Sequence, residues 1–162
     1  MHFLIALIIG IGLFSSRPAL ATTLRLPEEM ELLIVDGAPL GSSLLRGADS
    51  LELESGRHQL VFTVSRIVSG AGENRQTYTS PYIVAQFHTR DARQLTFLLP
   101  ALTTQSERER FSRQPFIRLI DQNGAAVEAV FSRLPTDGAA LMDALRRYNI
   151  NQNPTPPLSP PS

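Results

Sequence analysis

Three histidines, fifteen carboxylates and no cysteine are what this chain offers for metal or thiol chemistry. His58 and His88 both fall in strand-like runs. Neither belongs to an HxH or HxxxH pair that would aim two imidazoles at one ion. Each therefore reads as a packed or hydrogen-bonded scaffold residue. Glu28, Glu29 and Glu31 cluster just before a strand. A glycosidase needs two carboxylates brought face to face across a substrate, whereas these three read as a solvated turn surface. The serines lack the G-x-S-x-G elbow of a hydrolase. The glycine-rich "SGAGEN" lacks the lysine and following helix of a phosphate loop. Without cysteine, disulfides, thiol nucleophiles and Cys-ligated zinc are excluded. The expectation is a protein that is not an enzyme, with no catalytic residues, no metal and no cofactor.

Residues that could bind rather than react are easier to find. Tyr78, Tyr82 and Phe87 lie in the β-prone run Thr77 to His88. Tyr78 and Tyr82 share parity, so a regular strand would present both on one side, as a carbohydrate-stacking platform or as core and edge cover. Pro81 sits between them and cannot donate to a ladder, which places the strand at a sheet edge or marks a bulge. Thr77, Tyr78, Pro81, Tyr82 and Phe87 are thus the expected partner-binding residues. Arg108, Arg110 and Arg113 interleave with Glu107 and Glu109, a pattern of salt-bridged helix surface more than of a binding patch.

These residues must be held by a chain of 162 residues, 43% hydrophobic and 19% charged, with zero formal net charge. That is enough apolar matter for one core and offers no attraction for nucleic acid or anionic lipid. All fifteen basic residues are arginine, which fits base composition as well as selection. "MHFLIALIIGIGLFSSRPALA" reads as a cleavable export signal. Its apolar run is too short to span a bilayer, and Ala19 and Ala21 supply small residues before a cut at Thr22. The n-region lacks Lys and Arg, so an uncleaved anchor is the alternative. Removing residues 1–21 takes away Arg17 and leaves 14 basic against 15 acidic residues. The expected organisation is a signal over 1–21, a β-rich domain over 22–150, and a proline-rich tail over 151–162 that buries little. The expected location is the periplasm, with no stable membrane span after cleavage. The oligomeric state is left open.

Along the domain, "TTLRL" and "MELLIV" read as strands, the second ending in an Asp36-Gly37 turn. Ser50 to Leu53 alternates as a half-buried strand. Ser55-Gly56 then turns the chain into Arg57 to Val68, whose middle is apolar on both faces, as in a central strand. "QLTFLL" is another strand. A helix over Thr103 to Arg113 is capped by Thr103 or Thr104 and ended by Pro115. Phe116 to Ile120 and Ala126 to Phe131 flank a hairpin turn at Asn123-Gly124. Thr136 or Asp137 caps a last helix with Leu141, Leu145 and Tyr148 on its apolar face. The sum is mainly β: a β-sandwich or open barrel with one or two short helices.

The V-D-G turn, the following G-S-S and the run L-x-L-x-S-G-x-H-x-L-x-F resemble the PEGA-type β-module of bacterial envelope proteins. From the expected cleavage site onward, "ATTLRLPEEMELLIVDGAPLGSSLLRGADSLELESGRHQLVFTV" strongly resembles the YccT family, with "YTSPYIVAQF" and "LPTDG" in fitting order. These are exported proteobacterial proteins, one representative of which is named curli synthesis inhibitor. Family members usually run longer and finish in an aromatic-rich helical region, where this sequence has prolines. The resemblance implies no catalytic residues. It implies a binding role, restraining curli-type fibre subunits through a β-edge. The alternative is an envelope module for glycan or another envelope protein, with no nucleic-acid partner. Within this frame Asp36-Gly37 and Ser55-Gly56 are turns between strands of one sheet. Leu44-Leu45 plugs its end, and Asp49 faces Arg46 or a partner.

Overall fold

The computed structural model describes residues 21–41, 48–70, 72 and 74–152. Residues 1–20 of the export signal expected over 1–21, the expected Leu44-Leu45 plug, the Arg46 side of the expected Asp49 contact, and the tail from 153 onward lie outside the described residues. Strands β1 (Ala21–Arg25), β4 (Ser50–Glu54), β8 (Gln94–Leu98) and β9 (Arg118–Asp121) form a four-stranded sheet in the order β4-β1-β8-β9. Only the β1–β8 pair in it is parallel. The second sheet runs β10-β7-β5-β2-β3, with β6 also on β5. Its strands are β2 (Met30–Val35), β3 (Ala38–Pro39), β5 (Arg57–Ser69), β6 (Arg75–Thr79), β7 (Ile83–His88) and β10 (Ala129–Arg133). Two helices complete the fold among the described residues, α1 (Gln105–Arg113) and α2 (Leu141–Gln152). The β-sandwich with short helices expected from the sequence is what the chain adopts, and neither sheet closes into a barrel.

Alternation along β5 explains the layering. Leu60, Phe62 and Val64 point into the sandwich and meet Leu24, Leu95 and Phe97 of the first sheet. Val61 points the other way and joins Ile34, Val84, Leu134, Ala144 and Leu145 under α2. The second sheet is therefore buried on both faces at its centre, and the molecule has three layers: sheet, sheet, helix. Leu141 and Tyr148 pack on the outer cluster with Leu145, the helix face read from the sequence.

Two bulges serve this arrangement. The β2–β5 register shifts between Leu32 and Ile34, which sends Leu32 to the sandwich core and Ile34 to the helix side. The second bulge lies at Ser80-Pro81-Tyr82, between β6 and β7. Ser65 opposes Thr79 while Phe62 opposes Ile83, so three residues face two. Ser80 is buried there, and its hydroxyl accepts the Val64 N–H at 2.9 Å in place of a ladder carbonyl.

Several local readings change. The Asp36-Gly37 turn joins β2 to β3 in one sheet, but Ser55-Gly56 is a corner where the chain passes from β4 in one sheet to β5 in the other. Gly56, at φ 140°, is held by two backbone hydrogen bonds with Thr89, one to its hydroxyl and one from its N–H. The DQNG hairpin is similarly short-lived. Asp121 accepts from the Asn123 and Ala125 N–H groups, one bridge joins Ile120 to Ala126, and the chain then crosses to the other sheet as β10. Neither Thr136 nor Asp137 caps α2. Asp137 and Gly138 both take positive φ in a turn closed by Ala139 N–H on Thr136 O, and the helix starts at Leu141. Thr104 does cap α1, in a reciprocal box with Glu107.

Candidate functional site

The Asp36 carboxylate shows what the V-D-G and G-x-H residues do. It accepts from His58 Nδ1 at 2.7 Å and from the Gln59 N–H at 2.8 Å. His58 Nε2 meets the Glu54 carbonyl at 2.6 Å. The pair ties the β2–β3 turn to the β4–β5 corner, and Asp36 at φ 50° with Gly37 at φ 82° makes that turn tight. His58 is thus spent on scaffold, as its spacing implied. His88 Nδ1 accepts the Arg90 N–H at 2.8 Å. Among the described residues no group of three His, Asp or Glu is placed to hold a metal ion.

The five residues expected to meet a partner are not brought to one surface. Phe87 is 6% exposed and packs edge-on against Phe97 in the sandwich. Tyr78 packs on that same core, its hydroxyl 2.7 Å from Ser112 Oγ of α1. Tyr82 packs on the outer cluster beneath α2. The extra residue of the bulge reverses the alternation between them, so the two tyrosines face opposite sides and form no stacking platform. The edge reading of Thr77 to His88 also divides. β7 is paired on both sides, by β5 and by β10, so Ile83 to His88 is interior. β6 has β5 on one side and no strand on the other among the described residues. The Gly70 N–H bond to Asn74 O and the Ser80 N–H bond to Val64 O fix its ladder phase. With that phase, Arg75, Thr77 and Thr79 direct their backbone N–H and C=O groups outward.

A feature that sequence reasoning missed lies at the opposite rim of the second sheet. A cleft of about 1140 Å³ is lined by β5 residues Arg57 and Gln59, β7 residues Gln86 and His88, and β10 residues Val130 and Ser132. Tyr148 and Gln152 of α2 also line it, as do Arg90, Asp91, Asp121, Glu128 and the Asp36 carboxylate of the corner described above. Its residues come from distant segments joined by the β7–β10 pairing, for which the separate runs carried no signal.

Comparison with known proteins places the chain among bacterial relatives. Residues 23–162 match the family described as "Uncharacterized protein conserved in bacteria (DUF2057)". The chain is 48% identical over 101 residues to the UPF0319 protein YccT of Escherichia fergusonii, covering 62% of this chain and 46% of that protein. A UPF0319 protein of Citrobacter koseri is 40% identical over 135 residues, with 81% and 61% covered. The Escherichia coli (ATCC 8739) UPF0319 protein YccT is 37% identical over 150 residues, with 90% and 66% covered. The chain therefore spans between about half and two thirds of the length of these relatives. No solved structure matches.

Proposed function

The chain belongs to the YccT family (DUF2057, UPF0319), and from that premise we propose that it is a non-enzymatic periplasmic domain that restrains strand addition by amyloid-fibre subunits of the curli type. The observation that carries this reading is the outer edge of β6, where Arg75, Thr77 and Thr79 present backbone groups that pair with no strand among the described residues. Fibre growth adds one strand to another through such groups. A strand fixed in a folded sheet can accept a growing end and pass no edge of its own to the next subunit. The bulge at Ser80-Pro81 limits the accepting stretch, because it breaks the line between β6 and β10. Tyr78, hydrogen-bonded to α1, keeps β6 from peeling away as the partner pairs.

The test is fibre formation followed by thioflavin fluorescence, with residues 22–162 mixed with purified subunit. The expected result is a lag several-fold longer at stoichiometric ratio. Thr77→Pro should abolish the effect, since that N–H points outward and its loss leaves the β5–β6 ladder intact. An unchanged lag with the unaltered protein defeats the reading.

A further inference from the structure

We propose that β6 is the interface with a second copy of this chain, two β6 strands pairing antiparallel about a two-fold axis through Thr77. The interface shares its strand with the fibre edge proposed above but does not depend on it, for what carries it is the fit of β6 to itself.

The sheet leaves this strand projecting. β2 pairs with β5 only as far as Val64, and β7 only as far as Phe62. From Arg66 to Ser69, β5 has β6 as its one strand partner among the described residues. The β5–β6 hairpin therefore continues past the sheet as a two-stranded ribbon, tied on one face to α1 through Tyr78. Two strands alone are marginal, and further strands stabilise them. A second copy brings an identical ribbon, and pairing the two makes a four-stranded sheet of which each molecule supplies half.

The backbone groups set the register. Arg75, Thr77 and Thr79 direct theirs outward, and Thr77 is the middle one. With Thr77 opposite its own symmetry mate, Arg75 of each copy meets Thr79 of the other. Every outward N–H and C=O of the strand is then matched, and the bulge at Ser80-Pro81 marks the end of the pairing.

Charge and side-chain shape select the same register. Arg75 is the only charged residue of β6, and here it lies across from a threonine. Sliding the strands until Arg75 meets Arg75 opposes two guanidinium groups and carries Thr77 and Thr79 beyond the other strand. On the exposed face, Ile67 opposes Thr77 within each copy and is 66% exposed. The dimer completes a row Ile67–Thr77–Thr77–Ile67, β-branched from end to end, which suits a pleated surface. A pairing this short lies at the weak end of protein interfaces, so the dimer forms as concentration rises and parts on dilution.

Sedimentation velocity of residues 22–162 should show monomer giving way to dimer as concentration rises toward about 1 mM. The chain has no cysteine, so single introduced cysteines report the register without background. Thr77→Cys should oxidise to a disulfide-linked dimer, because directly opposed hydrogen-bonded residues hold their Cα atoms about 5.5 Å apart, within disulfide reach. Arg75→Cys should cross-link to Thr79→Cys in a mixture, and much more slowly to itself. Thr77→Arg keeps every backbone group but sets two guanidinium groups face to face, and should weaken the dimer about fivefold. None of these readouts involves a fibre subunit, so they are decided separately from the thioflavin result. Monomer at every concentration, association untouched by Thr77→Arg, or Arg75→Cys linking to itself faster than Thr77→Cys does would overturn the proposal.

Discussion

At the scale of single residues, the histidine that opens the question of chemistry turns out to close a corner. Both ring nitrogens of His58 face oxygens that only accept, the Asp36 carboxylate and the Glu54 carbonyl. The His58 side chain is 9% exposed against 44% for Asp36, so the imidazole is the sheltered member of the pair. Asp36 also bears the positive φ that the turn demands, which Asn tolerates and Ala does not. Asp36→Ala should then cost about 2–4 kcal/mol, one part lost hydrogen bonds and one part backbone strain. Asp36→Asn keeps an acceptor for the Gln59 N–H and should cost less than half as much. Urea denaturation of the two variants checks the ratio. The role was legible in the sequence because V-D-G and G-x-H are local signals. That Asp and His bond to each other was not, since nothing in either motif states which strands the turns bring together.

Elements show the same division between local and long-range information. A cap at Thr103 or Thr104 could be read locally at the start of α1, and the structure decides for Thr104, in a reciprocal box with Glu107. The Thr104 N–H donates to Glu107 Oε1 at 2.9 Å, and that bond with the Thr104 hydroxyl holds the Glu107 carboxyl below its ordinary value. A lowered folded-state value means the contribution is complete above the ordinary glutamate range and is lost as pH falls through the lowered one. The first turn of α1 should therefore fray in acid, seen as lost protection, relative to intrinsic exchange, at the Glu107 and Arg108 amides that bond Thr104. Glu107→Gln should flatten that pH dependence, and Thr104→Ala should destabilise the helix by about 1 kcal/mol at neutral pH. The strand run Thr77 to His88 shows where local reading stops. Pro81 announced an interruption, but edge and bulge are different answers to one missing N–H. Which applied at each residue depended on β10, fixed by a crossing from the other sheet. The parity argument for Tyr78 and Tyr82 failed for the same reason: one inserted residue inverts every side chain beyond it.

At the scale of the whole molecule, the second sheet belongs to two cores at once. Phe62 and Val61 are neighbours in β5, both fully buried, one facing the first sheet and one facing α2. Gln59 reaches the helix as well, exchanging hydrogen bonds with Asn149. α2 is thus not an appendage on a finished sandwich. Without it, Ile34, Val61 and Val84 would lie open in the middle of a sheet. The consequence is cooperativity. Leu145→Ala removes a side chain 2% exposed in the outer cluster and should cost about 2–5 kcal/mol. If the layers share one transition, that loss shifts the urea midpoint of the whole protein. Tyrosine fluorescence, with Tyr148 and Tyr82 on the outer cluster, and far-ultraviolet dichroism, dominated by strands, should move together. A variant in which fluorescence changes at lower urea than dichroism would mean that the helix leaves first. The cleft beside β10 would then lose Tyr148 and Gln152 from its lining before the strand signal falls.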